Sequence, residues 1–299
     1  MATFARPTFS AKAYAAFRPA YPPSLFRTIL SYHQVPTPGG TLLDLGCGHG
    51  PIARYLKPHF KSVIAIDPSA GMIAQARQTT TDPEITFRQG GAEDLDFLAE
   101  GSVDMAVSGQ AAHWFDYTQA WPSLARVVRP GGTVAFWGYK DNVLVGAEQA
   151  TRIMGQFVYG FGEVAPGVEG MGPYWEQPGR GILRDLLRGV QPPEADWTDV
   201  TRREHEPGEE GPEETRWLRK KMKLGEVEGY VQTFSAFNGW KEAHPQAKSR
   251  ASGGEGDILD VMWDRMVDAV PEWKAMGERW REAEVVSDWG TYILTARRR

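Results

Sequence analysis

Three glycines at every second position, Gly46, Gly48 and Gly50, follow the apolar run TLLDL and lead directly into PIARYL. A strand ending in Gly-x-Gly lets the backbone approach a ligand with no Cβ in the way, and a helix opening just beyond it aims free N–H groups at the same place. Asp67 stands twenty-one residues after Gly46, at the end of the next β-type run, where a carboxylate can accept hydrogen bonds from ribose hydroxyls. Together the turn and the acid point to a nucleoside. The dinucleotide fingerprint would need glycine where Pro51 stands, and no Lys-Ser/Thr pair follows the glycines as a phosphate loop requires.

Such a turn must sit at the end of a strand in an α/β unit. Residues 41–46, 62–67, 85–90, 102–109 and 133–139 read as strands. PIARYL and PSAGMIAQARQTT between the first three read as helices, opening with Pro51 and Pro68 at the first helical position. Near-continuous apolar strands alternating with helices indicate a parallel sheet covered on both faces. The turn RPGG at 129–132 is expected to end the last crossover helix. TDVTRREHE (198–206) alternates like an exposed strand, and VVSDWGTYILTARR (285–298) is expected to pair antiparallel beside it. Between them lie the acidic stretch 207–214, read as a surface loop, and two helical stretches near 213–243 and 257–270. The second of these places Ile258, Val261, Met262, Met266, Val267 and Val270 on about one face, a core stripe.

D-L-G-C-G-H-G (44–50) resembles motif I of the class I S-adenosylmethionine-dependent methyltransferases. Asp67 in AIDPS resembles their ribose-binding acid, GGAEDLDF (90–97) the segment that holds the adenine, and ARVVRPGG (125–132) the approach to their fifth strand. The resemblance implies a Rossmann-like fold with a seven-stranded, mostly parallel sheet, an antiparallel last strand and a helical insertion. It divides the chain into an N-terminal helical arm or lid (1–38), a cofactor domain (39–206 and 283–299) and an insertion at 207–282 forming part of a substrate cap. The cofactor would be S-adenosyl-L-methionine, leaving as S-adenosyl-L-homocysteine. Its candidate contacts are Tyr14, Arg18, Asp44, Gly46, Gly48, Asp67, Pro68, Met72, Ala92, Glu93, Gln110 and Ala111.

YAAFRPAYP (14–22), SGQAAHWFD (108–116), PYWEQPGRGIL (173–183), TFSAFNGW (233–240) and the terminal WGTYILTARR are similar to a narrower group, the trans-aconitate methyltransferase-like carboxyl methyltransferases. That group transfers the methyl to a carboxylate oxygen of a small organic acid or secondary metabolite. Acceptor contacts would come from Tyr21, His113, Trp114, Tyr174, Trp175 and Arg180. A carboxylate is already ionised at neutral pH, so no general base is needed. Arg18 and Arg180 are expected to grip a second, non-reacting carboxylate or that of the cofactor. Duller readings stay open: Arg18 as a salt-bridged anchor of the arm, and Tyr174 and Trp175 as core aromatics. His113 is the catalytic candidate, a base for a phenol, amine or carbon acceptor, or a hydrogen-bonding or packing residue for a carboxylate. A non-methylating cofactor-binding protein is the remaining alternative.

Thirty-three Lys and Arg against 38 Asp and Glu give a net charge of −5, which disfavours a nucleic-acid partner. No segment reaches the roughly 20 apolar residues of a membrane span, so a soluble, cytoplasmic monomer or homodimer acting on a small molecule is expected. The single cysteine, Cys47, forms no internal disulfide and announces no metal site.

Overall fold

In the computed structural model, residues 17–34, 39–162, 164 and 167–299 are described. Helix α1 (Pro23–His33) precedes the alternating units β1 (Thr41–Leu45), α2 (Pro51–Leu56), β2 (Ser62–Asp67), α3 (Ala70–Thr79), β3 (Ile85–Gln89), β4 (Val103–Gly109), α4 (Tyr117–Val127) and β5 (Val128–Val145). After β5 come α5 (Glu148–Met154), α6 (Gly179–Arg184), β6 (Trp197–His205), β7 (Arg219–Lys223), α7 (Leu224–Gln232), α8 (Ser235–Ala243), α9 (Ile258–Ala269), α10 (Pro271–Ala275) and β8 (Glu284–Arg298).

The strands form one sheet in the order β3-β2-β1-β4-β5-β8-β6, with β7 also paired to β8. β1 to β5 are mutually parallel; β8 runs antiparallel to β5, β6 and β7. The expected pairing of the last strand with 198–206 is present, with Thr201 opposite Thr295 and His205 opposite Thr291. Strand order reverses between β1 and β4, so the crevice beyond their C-terminal ends is where an open α/β sheet binds ligands.

Period-two alternation divides the core. Phe136, Tyr292 and Leu294 face the layer containing α4 and Trp197, whereas Trp137 and Ile293 face the layer built on Leu25, Phe26 and Ile29 of α1. Beyond Tyr139, β5 leaves these two layers and joins a third core, in which Leu144 and Trp289 meet Tyr230 and Phe234 and the Met262, Trp263 and Met266 face of α9. We refer to this third core as the cap. Asp257 starts α9 with a reciprocal capping box, its carboxylate accepting from Leu259 and Asp260 N–H while Asp260 accepts from Asp257 N–H.

Four local expectations need correction. The stretch 213–243 is not helical throughout: Arg219–Lys223 is an eighth strand, an edge in which only Met222 is buried. Ala70, not Pro68, is the first residue of α3, and Ser69 caps it, its hydroxyl accepting from Met72 N–H at 3.3 Å. RPGG is an irregular excursion inside β5, because Val128 already pairs with Val103 before Thr133 resumes beside Met105. The buried stripe of α9 is rotated toward Leu259 and Trp263, leaving Val261, Val267 and Val270 partly buried at its margin. Among the described residues, no helix is long and apolar enough to cross a membrane.

Trp289 is 2% exposed, lies edge-on to Tyr230 at 5.5 Å and donates from its indole to Tyr230 Oη at 3.0 Å. It therefore joins the sheet to the cap through packing and one buried hydrogen bond. Trp289→Ala is expected to lower stability by about 3–5 kcal/mol in denaturant unfolding.

Candidate active site

A cavity of about 750 Å³ opens over the C-terminal ends of β1, β2, β4 and β5 and under the cap. At its floor the glycine turn has the geometry its residues imply. Gly46 has φ +67°, and a Cβ there would collide with the Ala111 methyl; Gly48 has φ +55°, and a Cβ there would project into open space. The chain thus turns left-handed where only glycine is comfortable and leaves a bare cradle facing the cavity.

Asp67 closes that cradle. Its carboxylate accepts from Gly48 N–H at 2.9 Å and from Ser69 N–H at 2.8 Å, tying the end of β2 to the turn after β1. Burial raises its pKa, and the two backbone bonds oppose the rise. Each oxygen accepts one backbone bond and keeps lone pairs for a ligand's hydroxyls. Asp44 lies below the turn, fully buried; burial pushes its pKa up to about 7, with the nearby Ala53 N–H opposing. It does not line the cavity, although the cofactor reading gave it a contact there. Cys47 is buried and its thiol pKa is driven up by burial, so it packs as a small neutral side chain.

Pro68, Met72, Ala92 and Glu93 line one side of the cavity. Glu93 is held by Asp116 N–H at 3.0 Å, and its carbonyl accepts from Ser123 at 2.8 Å. Gln110 has φ +59°, uncommon for a non-glycine residue. Its amide exchanges two hydrogen bonds with the Tyr139 backbone, at 2.8 and 2.7 Å. That clamp turns the chain after β4 so that Ala111 and His113 face the cavity.

His113 is 6% exposed, and its Nδ1 has no hydrogen-bond partner. Burial, then Arg180 and Arg18, depress its pKa to about 3. Neighbouring Trp114 lies against Gly179, where a Cβ would strike its ring, and so joins the β4 turn to α6. Arg180 on α6 is buried, ion-paired with Asp141, and lies 4.2 Å from the Trp175 ring centre and 5.0 Å from that of Tyr159. Burial lowers its pKa, yet a guanidinium beside a carboxylate stays charged. Arg18 spans Tyr230 and Phe234 at 5.4 and 5.3 Å and reaches Tyr139 Oη and Thr233 O. Tyr21 and Trp175 also line this end.

Tyr174 does not reach the cavity. The turn Gly172–Tyr174 sends it outward, edge-on to His244 at 6.1 Å and against Gly239. Tyr14 lies outside the described residues. Sequence reasoning missed Tyr139, Tyr159, Tyr230 and Phe234 as cavity-wall residues and Asp141 as the partner of Arg180. Only TFSAFNGW flagged any of these residues; the others carry no spacing that separates a cavity wall from a core. Among the described residues no His, Cys, Asp and Glu cluster could hold a metal.

Known proteins bear on this geometry. Residues 43–136 match the family model described as a methyltransferase domain. A Saccharomyces cerevisiae protein named as an S-adenosylmethionine-dependent methyltransferase, CRG1, is 28% identical over 270 residues, 85% of each chain. A Dictyostelium discoideum protein named as a methyltransferase is 26% identical, over 84% of this chain and 88% of its own. A solved methyltransferase structure from Anaeromyxobacter dehalogenans superposes with a TM-score of 0.64 at 26% identity, covering 94% of this chain and 98% of that one. With a bare glycine turn and a pinned acid at the strand-order reversal and relatives of this kind over nearly its whole length, the chain is an S-adenosylmethionine-dependent methyltransferase with the class I fold.

Proposed function

We propose that the enzyme methylates a carboxylate oxygen of a small organic acid. The observation that carries this reading is the setting of His113: an imidazole only 6% exposed, its Nδ1 unpartnered, with burial and then Arg180 and Arg18 holding its pKa down. Protonating a group of pKa about 3 at neutral pH costs roughly 5 kcal/mol. A general base works best with a pKa near the operating pH. The site is therefore poor at taking a proton and good at attracting an anion, and a carboxylate acceptor asks for that combination. Methylation of a phenol, amine or carbon acceptor with His113 as base needs the opposite.

When bound, S-adenosylmethionine supplies a methyl carbon on a sulfonium, to which the acceptor oxygen bonds as the S–CH₃ bond breaks, the electron pair staying on sulfur in S-adenosylhomocysteine and no proton moving. The chain's part is to hold and orient. Asp67 accepts from the ribose hydroxyls, and Gly46 and Gly48 admit the methionyl part to the bare backbone. Asp44, fully buried beneath the turn, would act on a cation bound above it only through its charge. Pro68, Met72, Ala92 and Glu93 would frame the adenine, and Gln110 and Ala111 would lie toward the transferred methyl. Arg18, Tyr21, Trp114, Trp175 and Arg180 receive the acceptor, with His113 in its neutral form as a hydrogen-bonding wall. Holding an oxygen in line with the S–CH₃ bond contributes about 7–11 kcal/mol through orientation and avoided solvent reorganisation.

Two outcomes are expected. A buried carboxyl with pKa raised to about 7 shifts toward its ionised form when a cation binds above the turn that covers it. Cofactor binding near pH 7 should therefore release up to about half a proton per site, read as a buffer-dependent heat in calorimetry, and Asp44→Asn should abolish that release. Incubation with labelled cofactor and a panel of organic acids should yield base-labile methyl esters, with kcat flat from about pH 6 to 9. His113→Asn should cost less than about tenfold in kcat, where loss of a general base would cost about 10²–10⁴. Alkali-stable products alone would contradict the assignment.

A further inference from the structure

The acceptor end of the cavity is built in two layers, and the inner one is aromatic. Tyr159, Trp175, Phe234 and Tyr230 form a continuous set of rings: Trp175 to Phe234 at 5.3 Å, Tyr159 to Phe234 at 6.3 Å and Tyr230 to Phe234 at 4.8 Å. Three of the four are under 9% exposed. Such a wall offers broad apolar area and few hydrogen bonds to a ligand.

Two of the cations at this wall, Arg180 and Lys140, are already committed to acids of the chain, while Arg18 lies over Tyr230 and Phe234 and bonds Tyr139 Oη and Thr233 O. Asp141 binds the Arg180 guanidinium from behind and is itself 12% exposed. Lys140, also a lining residue, is bound to Glu206 at 2.5 Å. Glu176 adds a carboxylate to the same end of the cavity. A ligand with two or three carboxylates drawn to Arg180 would have to displace Asp141, leaving that nearly buried acid only Arg184 at 3.5 Å, or sit beside it as a like charge; both are costly. A single carboxylate needs neither. Arg180 retains a buried, unpartnered Nε–H on its cavity side chain, and His113 Nδ1 is likewise unpartnered.

We infer that the acceptor is a monocarboxylic acid with a flat, apolar or aromatic body, and that Asp141 is the specificity-determining residue that excludes di- and tricarboxylates by occupying Arg180. This rests on the carboxyl reading above. It also revises the expectation that the arginines grip a second carboxylate: Arg180 already holds one, supplied by the chain. In this arrangement the acid's body stacks on the ring wall while its one carboxylate is oriented by the remaining donor of Arg180 and by neutral His113. Asp141 touches neither the cofactor nor the reacting oxygen and acts through Arg180.

The test compares kcat/KM of the full-length enzyme for cinnamic acid, phenylsuccinic acid and propane-1,2,3-tricarboxylic acid, with methyl esters identified by alkaline release. The wild type should favour cinnamic acid over both polyacids by at least about tenfold. Asp141→Asn should narrow that preference by about tenfold, mainly through a lower KM for the polyacids with kcat changed less than about threefold. Asp141→Glu, which keeps the charge, should retain the wild-type order. A wild type that uses the tricarboxylate as well as cinnamic acid would overturn the substrate class. A folded Asp141→Asn with an unchanged preference would overturn the role of Asp141, and if that variant does not fold the wild-type order and Asp141→Glu still decide. If phenols are methylated and no acid is esterified, the carboxyl reading itself fails, and this inference with it.

Discussion

One buried carboxylate holds the site together. Asp67 sits at the end of β2, and its two backbone hydrogen bonds fix the glycine turn that ends β1 and the loop that starts α3. Because β1 lies between β2 and β4 in the sheet, this small bonded unit stands where strand order reverses. It makes the crevice a shaped receptor instead of a gap between loops. Both oxygens are pinned, so the faces they turn to the cavity are fixed before any ligand arrives. Preorganised acceptors of this kind spare a ligand the cost of ordering them.

The other end of the cavity is governed by desolvation. Aromatic rings from the cap support two guanidinium groups, and the same burial that lowers the pKa of His113 keeps water away from those charges. Low local dielectric strengthens each remaining electrostatic contact. This end of the cavity thus sets guanidinium groups, one of them held by Asp141, beside an imidazole whose pKa burial keeps low. Its walls come from β5, the Gly155–Tyr159 turn, α6 and the α7–α8 region, so the cap and the sheet must be assembled together for the pocket to exist. Trp289 on β8, bonded to Tyr230 of the cap, is one of the residues that couples them.

The parts legible in the sequence were those written in local pattern. The glycine spacing, the acid after the second strand and the apolar strands of the parallel sheet each follow from short-range geometry, and the pairing of the last strand with 198–206 followed from alternation. β7 was hidden because RKKMK is an exposed edge with one buried side chain, Met222, so its composition reads as solvated charge. Tyr174 and Trp175 are adjacent aromatics, and only the turn between them decides which one reaches the cavity. Asp141 meets Arg180 across thirty-nine residues, and Phe234 and Tyr159 meet across a longer separation. No spacing rule carries such contacts, because they are set by how the cap packs on β5.

The central claim is that Asp67 and the glycine turn form the seat of the cofactor, and calorimetric titration with S-adenosylhomocysteine reads it directly. Wild-type protein should bind one equivalent, and Asp67→Ala, checked for intact secondary structure, should weaken binding by roughly a hundredfold, the scale of two hydrogen bonds to a charged acceptor. Equal affinity in the two proteins, or no uptake by the wild type, would contradict it.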